Sequence, residues 1–338
     1  MSLPESSAPV APPRPVRASL RARWVALWDE REPPTLLALI RIALALVVLV
    51  DLASAAAHGV ETWLWAPPEA GGISGWDPAD TPLFYRIFPA SAGSARLLWF
   101  GLVLSALCIG VGFYTRSATL LYVWLSAQSA LINGPADRAI DRAIRIMLSI
   151  LVLSSAGSIW SIDARRETGS FRGAGALAPA WPRYLILAQL VVIYCGAGLS
   201  KGGTYWYPWG GYRALYLTLQ DPIFASADFR WLAQPLPYLL TRVGTAATHL
   251  WELGAPLVLC AAYYRRTRDR PGRLRRWLNR LPVRDVYVAL GLLFHLTLAL
   301  TLRLGIFPFA MLACFPAFFR PEELEHAGQR LRALRRRA

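Results

Sequence analysis

The sequence predicts an all-α protein, a polytopic transmembrane helical bundle of about eight spans with both termini cytoplasmic. Three observations carry that expectation. Apolar residues make up 55% of the 338-residue chain and charged residues only 17%, against about 25% charged in typical soluble domains, and the mean hydropathy is +0.36. The apolar residues fall into long uninterrupted runs. The arginines between those runs alternate between crowded and sparse connections. This composition excludes a disordered chain and argues against a water-soluble enzyme, and the lack of short alternating segments argues against a β-barrel.

A spanning helix needs roughly 20 mostly apolar residues. Eight runs qualify or nearly do: Leu36–Ala57, Ala95–Phe113, Ala118–Ile132, Ala143–Trp160, Tyr184–Leu199, Gly244–Tyr264, Val286–Leu302 and Ile306–Phe319. The third and eighth are short. Arg14, Arg17, Arg21, Arg23 and Arg31 precede the first run, whereas the loop after it holds Glu61, Glu69, Asp77 and Asp80 against Arg86. Arg116 marks the next turn, Arg165, Arg166, Arg172 and Arg183 follow the fourth run, and nine arginines fill 265–284. Even-numbered crossings therefore return to the arginine-rich side, which the positive-inside rule makes cytoplasmic.

The formal net charge of +15 is then mostly topology signal in a multi-pass protein of the cell membrane. Its natural partner is the anionic head groups of the cytoplasmic leaflet, not nucleic acid. Residues 1–34 read as a flexible Arg/Pro-rich tail without a cleavable signal, 35–320 as the bundle, and 321–338 as a basic cytoplasmic tail. The first run serves as an uncleaved signal anchor. Cys108, Cys195, Cys260 and Cys314 lie scattered in apolar runs, a spacing that forms neither a disulfide framework nor a metal site, so no metal is expected. No internal repeat points to a transporter of inverted halves.

Ionisable groups at membrane depth are costly and are candidates for function or for buried pairing. Arg41 and Asp51 lie about 15 Å apart along one helix, too far to pair with each other. His249 and Glu252, three residues apart, share a helix face; such a pair can relay protons or bind a neighbouring helix. His295 lies midway along the seventh run, where a satisfied core histidine is the ordinary outcome. Past the fifth run, Tyr205, Trp206, Tyr207, Trp209 and Tyr212 surround Pro208, Gly210 and Gly211. They form an interfacial aromatic belt or the wall of a pocket for a flat apolar ligand, on a bent segment.

One count separates a single residue from the rest. Of 36 basic side chains, 35 are arginine, and the one lysine is Lys201. A coding bias that turns interchangeable cations into arginine leaves lysine where arginine cannot serve, because an amine sheds its proton when desolvated and a guanidinium does not. Lys201 follows Gly196, Ala197 and Gly198, whose small size permits close helix approach. It emerges on the outer side, where either function or snorkelling of a long side chain places it.

The stretch Tyr194–Lys201 with Trp206 resembles the segment that carries the active-site lysine of vitamin K-dependent gamma-carboxylases and their bacterial relatives, the HTTM (horizontally transferred transmembrane) domain proteins. His295, followed by Gly305-Ile306-Phe307, Met311-Leu312 and Pro321-Glu322, is similar to a second signature of that family, and Trp160-Ser161-Ile162-Asp163 and the run Trp251-Glu252-Leu253-Gly254-Ala255-Pro256 also fit. The resemblance implies a lysine base acting on a reduced naphthoquinone, a vitamin K-like cofactor that reacts with oxygen to form a much stronger base. On that reading Lys201 is the base, His295 and Glu252 are its supporting catalytic groups, and Trp206, Trp209 and Tyr194 bind the cofactor. The family's catalytic enzymes carry a histidine shortly after an Asn, and after Asn133 this chain reads Gly134-Pro135-Ala136-Asp137-Arg138. The large extramembrane domain that follows the bundle in those enzymes is not expected here either. Together these departures count against carboxylation of a protein, and a reduced activity of a carboxylase-like or epoxidase-like enzyme, such as quinone oxidation without carboxylation, keeps a role for Lys201. The alternative is a non-enzymatic accessory, immunity or peptide-maturation protein, with a peptide or protein partner on the outer side. A small-molecule transporter using His249 and Glu252 is a weaker third reading.

Overall fold

The most apolar run forms the longest helix. In the computed structural model, which describes residues 19–324 together with His326 and Gln329, a short helix α1 (Leu20–Trp28) precedes α2 (Thr35–Ala57) of 23 residues, about 35 Å of helix and enough to cross a bilayer. The buried side chains of α2 include Leu37, Ile40, Leu44, Val48 and Leu52, spaced by three or four residues. That stripe packs α2 against α4 (Ala92–Val111), while α4 packs on α5 (Thr115–Ile132) and α5 on α6 (Ala139–Val152). The short α3 (Leu83–Ile87) lies in the loop before α4 and α7 (Ile162–Thr168) in the loop after α6.

The chain then forms α8 (Trp181–Ser200), α9 (Ala214–Gln220), α10 (Pro235–Leu253), α11 (Pro256–Arg266), α12 (Arg273–Arg280), α13 (Val283–Thr301) and α14 (Phe307–Ala313). Among the described residues the sheet content is one two-residue antiparallel pair, β1 (Arg31–Glu32) with β2 (Ala178–Pro179). Among the described residues four helices, α2, α4, α8 and α13, are long and apolar enough to cross a membrane. The protein is an all-α integral membrane bundle.

Three expected spans are shorter or broken. The run Gly244–Tyr264 is two helices that part at Gly254 and Ala255. Pro256 has no N–H to donate and its ring collides with the preceding turn, so it ends α10 and sits at the first position of α11, where its missing donor costs nothing. The run Ala143–Trp160 is helical only to Val152. Beyond it the hydroxyls of Ser154 and Ser158 bond to the nearby carbonyls of Leu151 and Ser155, the local competition by which serine ends helices. The run Ile306–Phe319 is helical to Ala313 and passes into a 3-10 turn at Phe315–Phe318 that contains Pro316.

Charged groups inside the bundle are held where the backbone offers complementary charge. Arg41 is fully buried on α2. Its guanidinium donates to the carbonyls of Ile109 at 2.5 Å, Gly110 at 3.1 Å and Trp160 at 2.7 Å. The first two lie in the last turn of α4, at the negative end of that helix. The chain leaves α4 through Gly112 at φ 72°, and a Cβ there would come within 2.6 Å of Arg41 Nη1.

Asp51 finds its partner in Arg138, at 2.5 Å, and Arg138 also bridges to Asp141 at 2.8 Å. Nearby Asp137 receives Arg145 at 2.8 Å and Arg142 at 3.0 Å. Burial would raise the Asp137 carboxyl, and these two arginines outweigh it and hold it below the usual carboxylate range. At the opposite, arginine-rich end, Arg183 forms a buried two-point contact with Glu32 at 2.6 and 2.7 Å, and Arg266 pairs with Glu30.

Candidate functional site

The last turn of α8 and the last turn of α10 meet, and their contact builds the site. Gly198 makes the approach possible: a Cβ there would lie 3.0–3.2 Å from Leu253 and Glu252. Of the two glycines expected to permit this packing, Gly196 faces open space and Gly198 lies at the contact. Three residues after Gly198, Lys201 caps α8. Its Nζ forms an ion pair with Glu252 Oε2, lies 3.4 Å from the Ala197 carbonyl at the negative end of its own helix, and sits 4.7 Å from the centre of the Trp206 ring. The Lys201 side chain is 16% exposed and that of Glu252 is 5% exposed. A carboxylate, a helix end and an aromatic face thus converge on one amine.

The loop that carries Trp206 is fastened from below by α10. Thr204–Trp206 forms a 3-10 turn. His249, one turn before Glu252, has Nδ1 at 3.2 Å from the Trp206 carbonyl, and its ring meets Tyr207 edge-on at 5.1 Å. Gly210 folds the loop back so closely that a Cβ would lie 2.1 Å from the Thr204 carbonyl oxygen. This fold turns Trp209 outward. It stacks on Tyr207 at 4.6 Å and 4° and is 75% exposed, so it does not line the space around Lys201.

A second polar pair lies deeper, about two turns down α8 from Lys201. The Tyr194 hydroxyl and His295 Nε2 are 2.7 Å apart, joining α8 to α13. His295 is fully buried and, among the described residues, its Nδ1 has no hydrogen-bond partner. Trp251, Phe294, Phe307 and Phe315 surround the ring at centroid distances of 5.0–6.4 Å. Trp251 connects the two pairs: adjacent in sequence to Glu252, it packs on Tyr194 at 4.6 Å and stacks on Tyr287 at 4.9 Å. Its indole N–H donates to the Tyr287 carbonyl at 3.0 Å.

The residues singled out from sequence therefore separate into two groups. Lys201, Glu252 and Trp206 form one cluster, Tyr194 and His295 a neighbouring one, and Trp209 stands apart. Sequence reasoning gave no site role to Trp251 and passed over Tyr287, the aromatic link between the groups. A usable signal was present in α13, where Tyr287, Gly291 and His295 recur every four residues and so share one face.

An integral membrane helical bundle with a lysine–glutamate pair shielded beside an aromatic ring is the class of protein that the fold and site define. The HTTM domain family matches residues 30–268, well over half of the chain, and the protein belongs to that family. The matched region contains Tyr194, Lys201, Trp206 and Glu252 and ends before α13, which supplies His295. No solved structure matches the chain.

Proposed function

We propose that the protein is a multi-pass enzyme of the cell membrane that acts on a reduced lipid quinone, with Lys201 as general base and Glu252 as its proton partner. The carrying observation is the shielded contact between Lys201 and Glu252 beside the Trp206 ring. Moving one proton from Nζ to Oε2 neutralises both charges at once, and a low-dielectric surrounding reduces the penalty for that transfer. The amine so formed can take a proton from a bound hydroxyl, and Glu252 can return its own to complete the exchange. An arginine at position 201 could hold the ion pair but could not perform this step. A reduced naphthoquinone, when bound, supplies the acidic hydroxyl and the redox chemistry. Trp206 offers it a flat apolar wall, and the Tyr194–His295 pair positions the aromatic floor through Trp251.

The test uses purified protein in lipid nanodiscs and follows oxidation of a reduced naphthoquinone by dissolved oxygen, the electron acceptor, through its absorbance. Lys201→Arg is expected to reduce turnover by about 10²–10⁴-fold, the usual contribution of a positioned acid–base group, and Glu252→Gln to impair it as well. Unchanged turnover in Lys201→Arg removes Lys201 from the chemistry. Complete pairing of Lys201 also favours a second reading, in which the ion pair only pins the loop at 204–207 and the protein is a non-enzymatic accessory in the maturation of, or immunity to, a peptide on the outer side. In that case Lys201→Arg is silent and crosslinking recovers a peptide partner.

A further inference from the structure

At the arginine-rich end a cleft of about 260 Å³ opens between the start of α8, the end of α11, the start of α13 and the turn after α14. Its floor is apolar, with Leu187, Val258 and Phe318 buried in it. Its rim is formed by arginines, and their partners differ. Arg183 is committed to Glu32, Arg266 to Glu30, and Arg284 to Asp285 and Glu323. The side chains of Arg265 and Arg320 also line the cleft, and neither forms a hydrogen bond or ion pair among the described residues. Glu323 acts on Arg265 only at a distance.

The neighbouring helix shows at what depth this cleft lies. In α12 Leu274 and Trp277 are more than half exposed, while Arg273, Arg275, Arg276 and Arg280 occupy the same two turns. An arginine-rich helix with an exposed tryptophan and leucine lies in the membrane interface, with its rings among the acyl chains and its cations at the head groups. Because α12 packs on α11, the cleft mouth is at head-group level. The stretch 265–284 holds nine arginines and one acid, Asp269, so the surrounding field favours an anion.

We propose that this cleft is a binding site for an anionic glycerophospholipid of the arginine-rich leaflet. An acyl chain lies along Leu187, Val258 and Phe318, and the phosphate sits between Arg265 and Arg320. The apolar floor distinguishes this occupant from a free phosphate ion, and the two available guanidinium groups distinguish it from a zwitterionic lipid. A lipid held here fills the space between α8, which leads to Lys201, α11 and α13, which carries His295, and the lipid site itself does not depend on the quinone reading.

Native mass spectrometry of the full chain in detergent tests the proposal, with titration by phosphatidylglycerol, phosphatidylcholine and inorganic phosphate. Phosphatidylglycerol is expected to bind about tenfold or more tightly than phosphatidylcholine, on the scale of surface arginines acting on anionic lipid. An excess of inorganic phosphate should leave it bound. The double variant Arg265→Gln/Arg320→Gln is expected to remove that preference, and Val258→Phe, which fills the floor without changing charge, to weaken both lipids. Equal binding of the two lipids by the unmodified protein overturns the proposal, as does a preference that survives the double variant. Displacement of phosphatidylglycerol by inorganic phosphate overturns it in favour of a simple anion site.

Discussion

Replacing Lys201 with methionine leaves the Glu252 carboxylate, with only 5% of its side chain exposed, without its counter-charge. Removing one partner of a buried ion pair typically costs roughly 3–5 kcal/mol. Lys201 keeps 16% of its own side chain exposed, so some water reaches the pair and the expected loss lies near the lower end, about 3 kcal/mol. Glu252→Gln is milder, about 1–2 kcal/mol, because the amide oxygen can still accept from Nζ. The double variant Lys201→Met/Glu252→Leu removes both charges together and should fall within about 1 kcal/mol of the unmodified protein, since matched apolar pairs often replace buried ion pairs without loss. Equilibrium unfolding in mixed micelles, followed by tryptophan fluorescence, measures these variants together with the single Glu252→Leu that closes the cycle, and yields a coupling energy of about 2 kcal/mol or more. Additive effects, or a Lys201→Met loss below about 0.5 kcal/mol, would falsify the shielded pair and with it the physical basis of the proposed base. Lys201→Arg supplies the complementary measurement. It preserves the counter-charge and so most of the stability, while removing the capacity to release a proton, and the two readouts should diverge.

Two further perturbations probe the frame around the site. Asp163 accepts from the backbone N–H groups of Tyr114 at 2.9 Å and Thr115 at 2.7 Å and from the Thr115 hydroxyl at 2.7 Å, tying α7 to the start of α5. Burial would raise its carboxyl, and these hydrogen bonds outweigh burial and hold it below the usual range. A depressed folded-state value means that the stabilisation is fully present above the unfolded value of about 3.9 and is lost as pH falls through the folded one. Asp163→Asn should therefore lower stability at neutral pH by about 1–2 kcal/mol and flatten its decline below pH ~4, as measured by unfolding across a pH series. Gly291→Ala would place a Cβ 2.7 Å from Trp251 Cζ2 and 2.9 Å from Phe315 Cζ. A cost of about 1–3 kcal/mol from overpacking is expected, with a changed near-ultraviolet dichroism signal as Trp251 shifts on Tyr287; an unaltered spectrum and stability would contradict the tight aromatic layer.

How much of this was legible in the sequence depends on whether each contact has a local signature. The first span was, because α2 (Thr35–Ala57) is one uninterrupted apolar run, and periodicity and hydropathy agree over its whole length. The break between α10 and α11 was blurred, because averaging hydropathy over Gly244–Tyr264 passes over Pro256, a single residue whose effect is steric and not hydrophobic. Arg41 was recognisable as a buried cation in need of a partner, but its partners are backbone carbonyls of Ile109, Gly110 and Trp160, which every residue carries and no side-chain pattern announces. Lys201 and Glu252 each stood out by residue type, one as a lone amine and the other as a carboxylate in an apolar run. That they touch, 51 positions apart in sequence, depends on the fold of the chain between them and on Gly198, the glycine of its group that faces Leu253 and Glu252. The placement of Trp209 was hidden for the complementary reason: composition alone cannot tell the inner face of a folded-back loop from its outer face, and where Gly210 closes on Thr204 the loop has Trp206 toward Lys201 and Trp209 toward the outside. Chemistry-bearing residue types were thus readable one at a time. Their convergence rests on two glycine contacts, at Gly198 and Gly210, so widening either residue to alanine should disturb the Lys201 cluster as surely as changing the amine itself.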